Sequence, residues 1–456
     1  MMTLQQAARE IGGRATADVK FTSVFSDSRA VESGGLFVAL RGERFDGHDF
    51  VADVLGDGAV AALVDHSFAA QHPDLPLLVV DDTRQGLGRL AAHWRRRFDI
   101  PVIGVTGSNG KTTVKEMIAA ILAAAHGEEH RLATRGNLNN DIGLPLTVLR
   151  LRSHHKAAVI ELGMNHPGET AELAAIAQPT IGLINNAQRE HQEFMKTVAA
   201  VAEEHGALIN ALDESGVVVI CADEEFADYW RGLAGSRPVR DFGIDKPAAV
   251  GDRYHLDARG ADLELKTPEG GIALRLATAG VHNIRNALAA VAATTAAGVT
   301  LSAVKAGLEA FRPVKGRLQS RLGLRGAAII DDSYNANPDS VRAAIDVLSA
   351  LPGKRLLVLG DMGEVGDRGG EYHAEIGGHA RSQGVDGLYT LGEMTVATAH
   401  NFGGGAHFAS VEALVAALKP QLDANTTVLV KGSRFMRMER VVEALTEQTS
   451  ENSHAS

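Results

Sequence analysis

What this chain has little of narrows its class. Among 456 residues there is a single cysteine, Cys221, so no intrachain disulfide can form, which suits a reducing compartment. Cations are in deficit: 45 Lys and Arg stand against 56 Asp and Glu, a formal charge of −11. That balance counts against a dedicated nucleic-acid binder, which needs a basic face. It leaves room for an anionic small molecule, which needs only a local site. No stretch approaches about 18 uninterrupted apolar residues. The richest, Ala287–Val299, is broken by Thr294, Thr295 and Gly298, so no membrane span is expected. Met1–Ala7 has no basic segment leading into an apolar run, so no secretory leader is expected and the cytoplasm is the expected location. Aromatic residues make up only 5%, whereas apolar residues reach 45%, enough for several cores and too much for a disordered chain. At ~150 residues per domain, the length points to about three domains.

Organisation follows from the apolar pattern. Pro101–Val105, Ala157–Glu161, Ile181–Asn185 and Val217–Cys221 read as buried strands. Between them lie helical patterns: Val114, Met117, Ile118, Ile121 and Leu122 mark one apolar face, and Val198–Leu212 forms another helix. This β–α alternation predicts an α/β fold with a mostly parallel sheet. From Tyr254 to Ala277 the period shortens to two around Pro268–Gly271, which predicts an antiparallel hairpin inserted on the main sheet. An Ala-rich helix over Asn283–Ala297 follows. Strands are then expected at Ala327–Asp331, Leu356–Leu359, Gly387–Leu391 and Thr427–Val430. Boundaries near Arg97–Pro101 and Arg312–Gly316 divide the chain into residues 1–98, 99–313 and 314–456. Arg95-Arg96-Arg97 reads as a solvated helix end, and Gln448–Ser456 as a frayed tail.

The sharpest motif is Gly104-Val105-Thr106-Gly107-Ser108-Asn109-Gly110-Lys111-Thr112-Thr113, set between a strand and a helix. Glycines there let backbone N–H groups converge on phosphate oxygens, and the helix N-terminus adds favourable charge. Lys111 can reach the β- and γ-phosphates, and the Thr112 hydroxyl is a ligand for Mg²⁺. One departure is Val105, where the generic pattern has its first glycine. ATP or GTP binding follows, but binding alone does not separate a kinase, GTPase, ligase or motor.

Further polar residues fall where α/β sheets build their sites, at the carboxyl ends of strands. Glu161 ends one strand and suits a Mg²⁺ ligand. His191 lies one loop after the next, and Asn137, Asn139, Asn140 and Asp141 form a polar loop. In the last third, Asp331–Pro338 follows a strand and includes Asp332, Tyr334 and Asn335. Lys315-Gly316-Arg317 precedes that strand, and Lys431-Gly432-Ser433-Arg434 ends the last one. Together these predict an interdomain cleft that closes on a nucleotide.

These motifs, with His282-Asn283-Ile284-Arg285-Asn286, resemble the Mur ligases, the ATP-dependent amide-forming enzymes of peptidoglycan synthesis, over roughly residues 25–435. Ser26-Asp27-Ser28-Arg29, Phe45-Asp46-Gly47-His48, Gly136–Asn140 and Leu359-Gly360-Asp361-Met362 are similar to the branch that adds D-alanyl-D-alanine. An Asp-Asn-Pro-Arg motif of the diaminopimelate-adding branch is absent. The resemblance implies an N-terminal mixed α/β domain that binds a UDP-sugar, a central P-loop ATPase and a C-terminal Rossmann-like domain. It implies ATP and Mg²⁺ as cofactors, with UDP-N-acetylmuramoyl-tripeptide and D-alanyl-D-alanine as substrates, and a monomer. It also implies roles. Lys111, Glu161, His191, Arg317 and Lys431 would serve catalysis. Gly107, Ser108, Asn109, Gly110, Lys111, Thr112, Thr113, Asn283, Asn286, Arg317 and Asp332 would bind nucleotide. Thr112, Glu161 and His191 would bind metal. Ser26, Asp27, Ser28, Arg29, Asp46, Asn137, Tyr334, Asn335 and Arg434 would bind substrate. Relatives carry a carbamoylated lysine about fourteen residues after the His, yet counting from His191 reaches His205. Glu204 is the expected source of the missing charge. Two alternatives remain: a Mur-type or folylpolyglutamate-type ligase with another amine, and a P-loop switch with no C-terminal cations at the phosphates.

Overall fold

The computed structural model describes residues 1–257 and 260–446; the expected frayed tail lies outside them. Three α/β regions follow one another along the chain. The first holds a five-stranded sheet in which Val24–Phe25, Leu36–Val38, Ala61–Asp65 and Leu77–Val80 are parallel neighbours in that order, with Arg14–Ala15 antiparallel at the edge beyond Leu77–Val80.

The central sheet has six strands, all parallel. Their spatial order is Val239–Phe242, Val217–Cys221, Ile181–Ile184, Val102–Thr106, Ala157–Glu161, Arg131–Ala133. From Val102–Thr106 the chain crosses to the edge strand Arg131–Ala133, returns to Ala157–Glu161, and then builds outward on the other side from Ile181–Ile184. The order therefore reverses beside Val102–Thr106, and the topological switch point lies at that strand's carboxyl end, where such sheets bind ligands. Register puts Glu161 beside Val105 and Ile184 beside Thr106, so three strand ends meet at one place.

The helix Lys111–His126 leaves this point. Val114, Met117, Ile118, Ile121 and Leu122 recur on one face and are fully buried, which contributes roughly 1.5–3 kcal/mol each. The helix Leu301–Ala310 packs close against it at Gly307, where a Cβ would press on the Ile121 backbone.

The hairpin expectation is corrected in two ways. A third strand, Gly251–Asp257, joins Gly260–Thr267 and Gly270–Leu276, and the three form their own antiparallel sheet rather than an extension of the main one. Leu263, Leu265, Leu274 and Leu276 cluster with Ile284 and Leu288 of the helix Val281–Ala296. Hydrophobic burial against that helix needs an apolar face, not a free sheet edge.

The last region has a six-stranded sheet: Gln319–Leu322, Ala328–Asp332, Thr426–Lys431, Lys354–Gly360, Gly387–Leu391, Ala406–Phe408. Only the first pairs antiparallel. Asp332 sits in register with Lys431. The arginine run is not wholly solvated either. Arg95 is buried and donates to Ala177 O at 3.1 Å, at the end of a neighbouring helix, and to Phe98 O at 2.6 Å, just past the end of its own.

Candidate active site

The phosphate loop is short because the strand before it runs on to Thr106. Val105 lies inside the sheet, fully buried, so no glycine is required where the generic pattern has one. The turn is confined to Gly107–Gly110. Gly107 has φ +135° and a Cβ there would lie 3.0 Å from Asn185 Cβ. Gly110 has φ +82° and caps the helix, and a side chain would collide with the amide of Asn286. Both positions therefore exclude other residues.

Two asparagines at the end of strand Ile181–Ile184 hold the loop, and neither stood out in the sequence. Asn109 N donates to Asn186 Oδ1 at 2.8 Å, while Asn185 Nδ2 donates to Asn109 O at 2.8 Å and to Asn286 Oδ1 at 3.0 Å. Asn286 Nδ2 reaches Asn283 Oδ1 at 3.3 Å, and Asn283 Nδ2 is tied to Ala279 O at 2.7 Å. The predicted pair Asn283 and Asn286 is thus buried in one amide network with the loop. Glu224 lines the same cleft, and burial pushes its carboxyl up to about 7.

Thr112, Glu161 and Arg317 meet as expected. The Thr112 hydroxyl donates to Glu161 Oε1 at 3.1 Å, and Arg317 Nη2, from the last region, donates to Thr112 Oγ1 at 2.9 Å. Asn139 Nδ2 donates to Glu161 Oε1 at 2.8 Å, whereas the predicted Asn137 is exposed on the cleft wall. Glu161 is buried, yet its Oε2 has no hydrogen-bond partner among the described residues. An orphaned carboxylate oxygen beside a hydroxyl is a donor set for a hard cation, so Thr112 and Glu161 fit Mg²⁺.

Lys111 Nζ donates to Gly107 O and lies 3.3 Å from Glu190 Oε2. Glu190 is 5% exposed and was not anticipated. Burial alone would raise its carboxyl, but Lys111, His205 and His191 outweigh this and hold it down to about 2. His205, fully buried, reaches Glu190 Oε1 through Nε2 at 3.0 Å and Thr106 Oγ1 through Nδ1 at 3.0 Å. His191 takes φ +46° and sits with Nδ1 2.6 Å from Glu364 Oε2 and Nε2 3.8 Å from Glu190 Oε2. Glu204 is corrected: its two oxygens accept from Gly168 N at 2.8 Å and Thr170 N at 2.7 Å. It caps the helix Glu169–Ala177 and is not among the residues that line the cleft.

The last region closes the cleft, whose volume is about 1010 Å³. Lys431 Nζ is engaged by Asp332 Oδ2 at 2.6 Å and Asn335 O at 2.9 Å, as their sheet register dictates. The Arg317 guanidinium lies over the Tyr334 ring at 4.3 Å, and exposed Arg434 is 5.6 Å from that ring. Asn337 Nδ2 donates to Asn109 Oδ1 at 2.9 Å across the cleft.

The N-terminal candidates are elsewhere. Asp27 and Arg29 form an exposed pair at 2.8 Å, and Ser26 and Ser28 beside them are half-buried. Asp46 caps the short turn Gly47–Phe50 and contacts His48 and Arg41. None of these five lines the cleft.

Residues 20–95, 105–294 and 316–434 match, in order, the Mur ligase catalytic, middle and glutamate ligase domain families. The UDP-N-acetylmuramoyl-tripeptide–D-alanyl-D-alanine ligase of Escherichia coli (strain K12) is 41% identical over 98% of both chains. The enzyme of that name from Bacillus subtilis (strain 168) is 34% identical over 93% of both. The crystal structure of MurF from Acinetobacter baumannii superposes with a TM-score of 0.89 at 34% identity, over 97% of this chain and 98% of that one. MurF from Thermotoga maritima, solved in complex with ADP, gives 0.82 at 27% identity, over 94% and 98%. With a phosphate loop, a facing arginine and all three domain matches in order, the chain belongs to the Mur ligase family.

Proposed function

We propose that the chain is an ATP-dependent amide ligase that adds D-alanyl-D-alanine to UDP-N-acetylmuramoyl-tripeptide, giving the pentapeptide precursor of peptidoglycan. The observation that carries the reading is the meeting of Arg317 with Thr112 and Glu161 at the phosphate loop, on a chain similar end to end to ligases of that specificity. The P-loop switch considered above would leave the phosphates without a cation from the C-terminal region.

In this reading residues 1–98 hold the UDP-sugar, 99–313 the ATP, and 314–456 complete the site and receive the dipeptide. The tripeptide's terminal carboxylate attacks the γ-phosphorus, ADP leaves, and an acyl phosphate forms. The amine of D-alanyl-D-alanine then attacks that carbonyl, phosphate leaves, and the amine gives up a proton. Lys111 orients the β- and γ-phosphates, and Arg317 answers the charge that builds during transfer. Thr112 and Glu161 would hold Mg²⁺, which when bound neutralises phosphate charge, and His191 would assist a second cation. Asn283 and Asn286 hold adenine, and Asp332 with Lys431 forms the ribose and phosphate side. Ser26, Asp27, Ser28, Arg29 and Asp46 take the uridine diphosphate end. Asn137, Tyr334, Asn335 and Arg434 line the peptide path. The enzyme works as a monomer in the cytoplasm; among the described residues no helix is long and apolar enough to cross a membrane. The test is incubation with ATP, UDP-N-acetylmuramoyl-tripeptide and D-alanyl-D-alanine, with mass spectrometry of the product. Pentapeptide is expected, and its absence while another amine is consumed refutes the reading.

A further inference from the structure

The mechanism above gives no task to Glu190, although a buried carboxylate is expensive to keep and its place is not incidental. It lines the cleft and touches the phosphate-loop lysine, with Oε2 3.3 Å from Lys111 Nζ. The same oxygen is 3.8 Å from His191 Nε2. Its other oxygen is held by His205 Nε2 at 3.0 Å, and His205 is held in turn by Thr106 Oγ1 at 3.0 Å. Thr106 is the last residue of the strand that leads into the loop. The four side chains thus connect the foot of the phosphate loop to its lysine without leaving the protein interior.

His205 is also the residue reached where relatives carry a lysine carbamate, and the expected substitute, Glu204, is committed to a helix cap. We propose that Glu190, oriented by His205, is a positioning residue for phosphoryl transfer: a permanent carboxylate that fixes Lys111 and places beside His191 the negative charge other Mur ligases obtain from a carbamate. A carbamate forms when a neutral lysine amine attacks CO₂, making a C–N bond and releasing one proton, and it reverts when CO₂ is withdrawn. Glu190 needs no CO₂, so turnover here is independent of it. The inference rests on the proposed ligase reading, and two measurements separate their failures.

The first is equilibrium binding of a non-hydrolysable ATP analogue to the full chain by calorimetry, with and without Mg²⁺. In Glu190→Gln the gain in affinity on adding Mg²⁺ shrinks about tenfold relative to wild type. The second is turnover with both substrates: Glu190→Gln loses about 100-fold in kcat while KM for D-alanyl-D-alanine stays within about threefold. Wild-type turnover is the same in degassed and bicarbonate-containing buffer. In a Glu190→Ala, His205→Lys double variant, turnover recovers at least about tenfold over Glu190→Ala, and only with bicarbonate. An unchanged Mg²⁺ effect in Glu190→Gln, turnover within about threefold of wild type, or a wild-type rate that falls on degassing each overturns the inference. Should Glu190→Gln lack a cooperative melt, His205→Leu decides, because it leaves Glu190 in place without the donor at Nε2 that supports it, and unchanged turnover there overturns it too. If wild type makes no pentapeptide, the ligase reading fails, while the calorimetric ratio still tests Glu190.

Discussion

Replacing Arg189 with Met should open the cleft. Arg189 lies in the loop after strand Ile181–Ile184 and reaches into the last region. Its Nη2 is 2.6 Å from Asp339 Oδ1, its Nη1 is 2.8 Å from Glu375 Oε2, and its backbone N donates to Asp339 Oδ2 at 2.9 Å. Asp339 foremost, with Glu375, holds the guanidinium above its ordinary value against the opposing effect of burial. Side-chain exposures of 21%, 25% and 35% put the cluster between two regimes. Exposed ion pairs give about 0–1 kcal/mol, and stripping one partner from a buried pair costs about 3–5. A forked arginine on two carboxylates at this depth is worth about 2 kcal/mol, which is roughly 30-fold in the closed-to-open ratio. Met keeps an apolar stem and removes the charge, together with the guanidinium that lies 5.2 Å over the Tyr372 ring. Small-angle scattering should show a larger radius of gyration, and kcat/KM for ATP should fall by about the same factor. A double-mutant cycle with Asp339→Asn should return a coupling of at least about 1 kcal/mol. Scattering identical to wild type, with kcat/KM reduced less than about threefold, would refute the reasoning.

Three further outcomes are expected. Asn139→Ala removes a charge-assisted bond to Glu161, worth about 1.5–3 kcal/mol, so the Mg²⁺ concentration for half-maximal turnover should rise about tenfold or more. Gly110→Ala forces a left-handed alanine against the Asn286 amide, at about 1–3 kcal/mol, and calorimetry should detect no ATP binding in a protein that still melts cooperatively. Glu224 keeps its proton in the folded state up to about pH 7 but loses it near 4.5 when unfolded, so stability falls as pH rises across that window. At about 1.36 kcal/mol per pH unit, the loss is at most about 3 kcal/mol. Glu224→Gln should therefore raise the melting temperature at pH 8 and leave it unchanged at pH 4.

The central strands were legible because both faces of a parallel sheet are covered, so Ala157–Glu161 and Val217–Cys221 read as unbroken apolar runs at their observed bounds. Gln319–Leu322 and Ala406–Phe408 were not, since edge strands alternate half-exposed residues and carry no such run. Thr112 and Glu161 were legible for a related reason: a loop motif and a strand end fix where their side chains begin. Asn139 was legible as part of a polar loop of the cleft, but not as the member that reaches Glu161. Asn185 and Glu190 sit on irregular backbone, where an Asn is an ordinary turn former and a Glu an ordinary surface charge until tertiary contacts turn them inward. Glu204 and His205 show the limit of counting along a helix. Neighbours there point ~100° apart, so a choice between them is a choice of face, and only the neighbouring helix end and Thr106 decide it.

Three consecutive residues then join what the sequence places far apart. In the loop Arg189-Glu190-His191, the arginine grips Asp339 and Glu375, the glutamate meets Lys111 and His205, and the histidine meets Glu364. A helix would spread three neighbours around its axis at fixed angles, whereas irregular backbone, ending in the left-handed turn at His191, lets each face a different partner. Residues 189 and 191 are both tied to the last region, so a movement of that region would pull on both, and residue 190 between them holds the phosphate-loop lysine. Domain closure and the placement of Lys111 are therefore set by the same stretch of chain. A lesion at Arg189 should be felt in the chemistry as well as in binding, whereas one at the exposed Arg29 should leave phosphoryl transfer untouched.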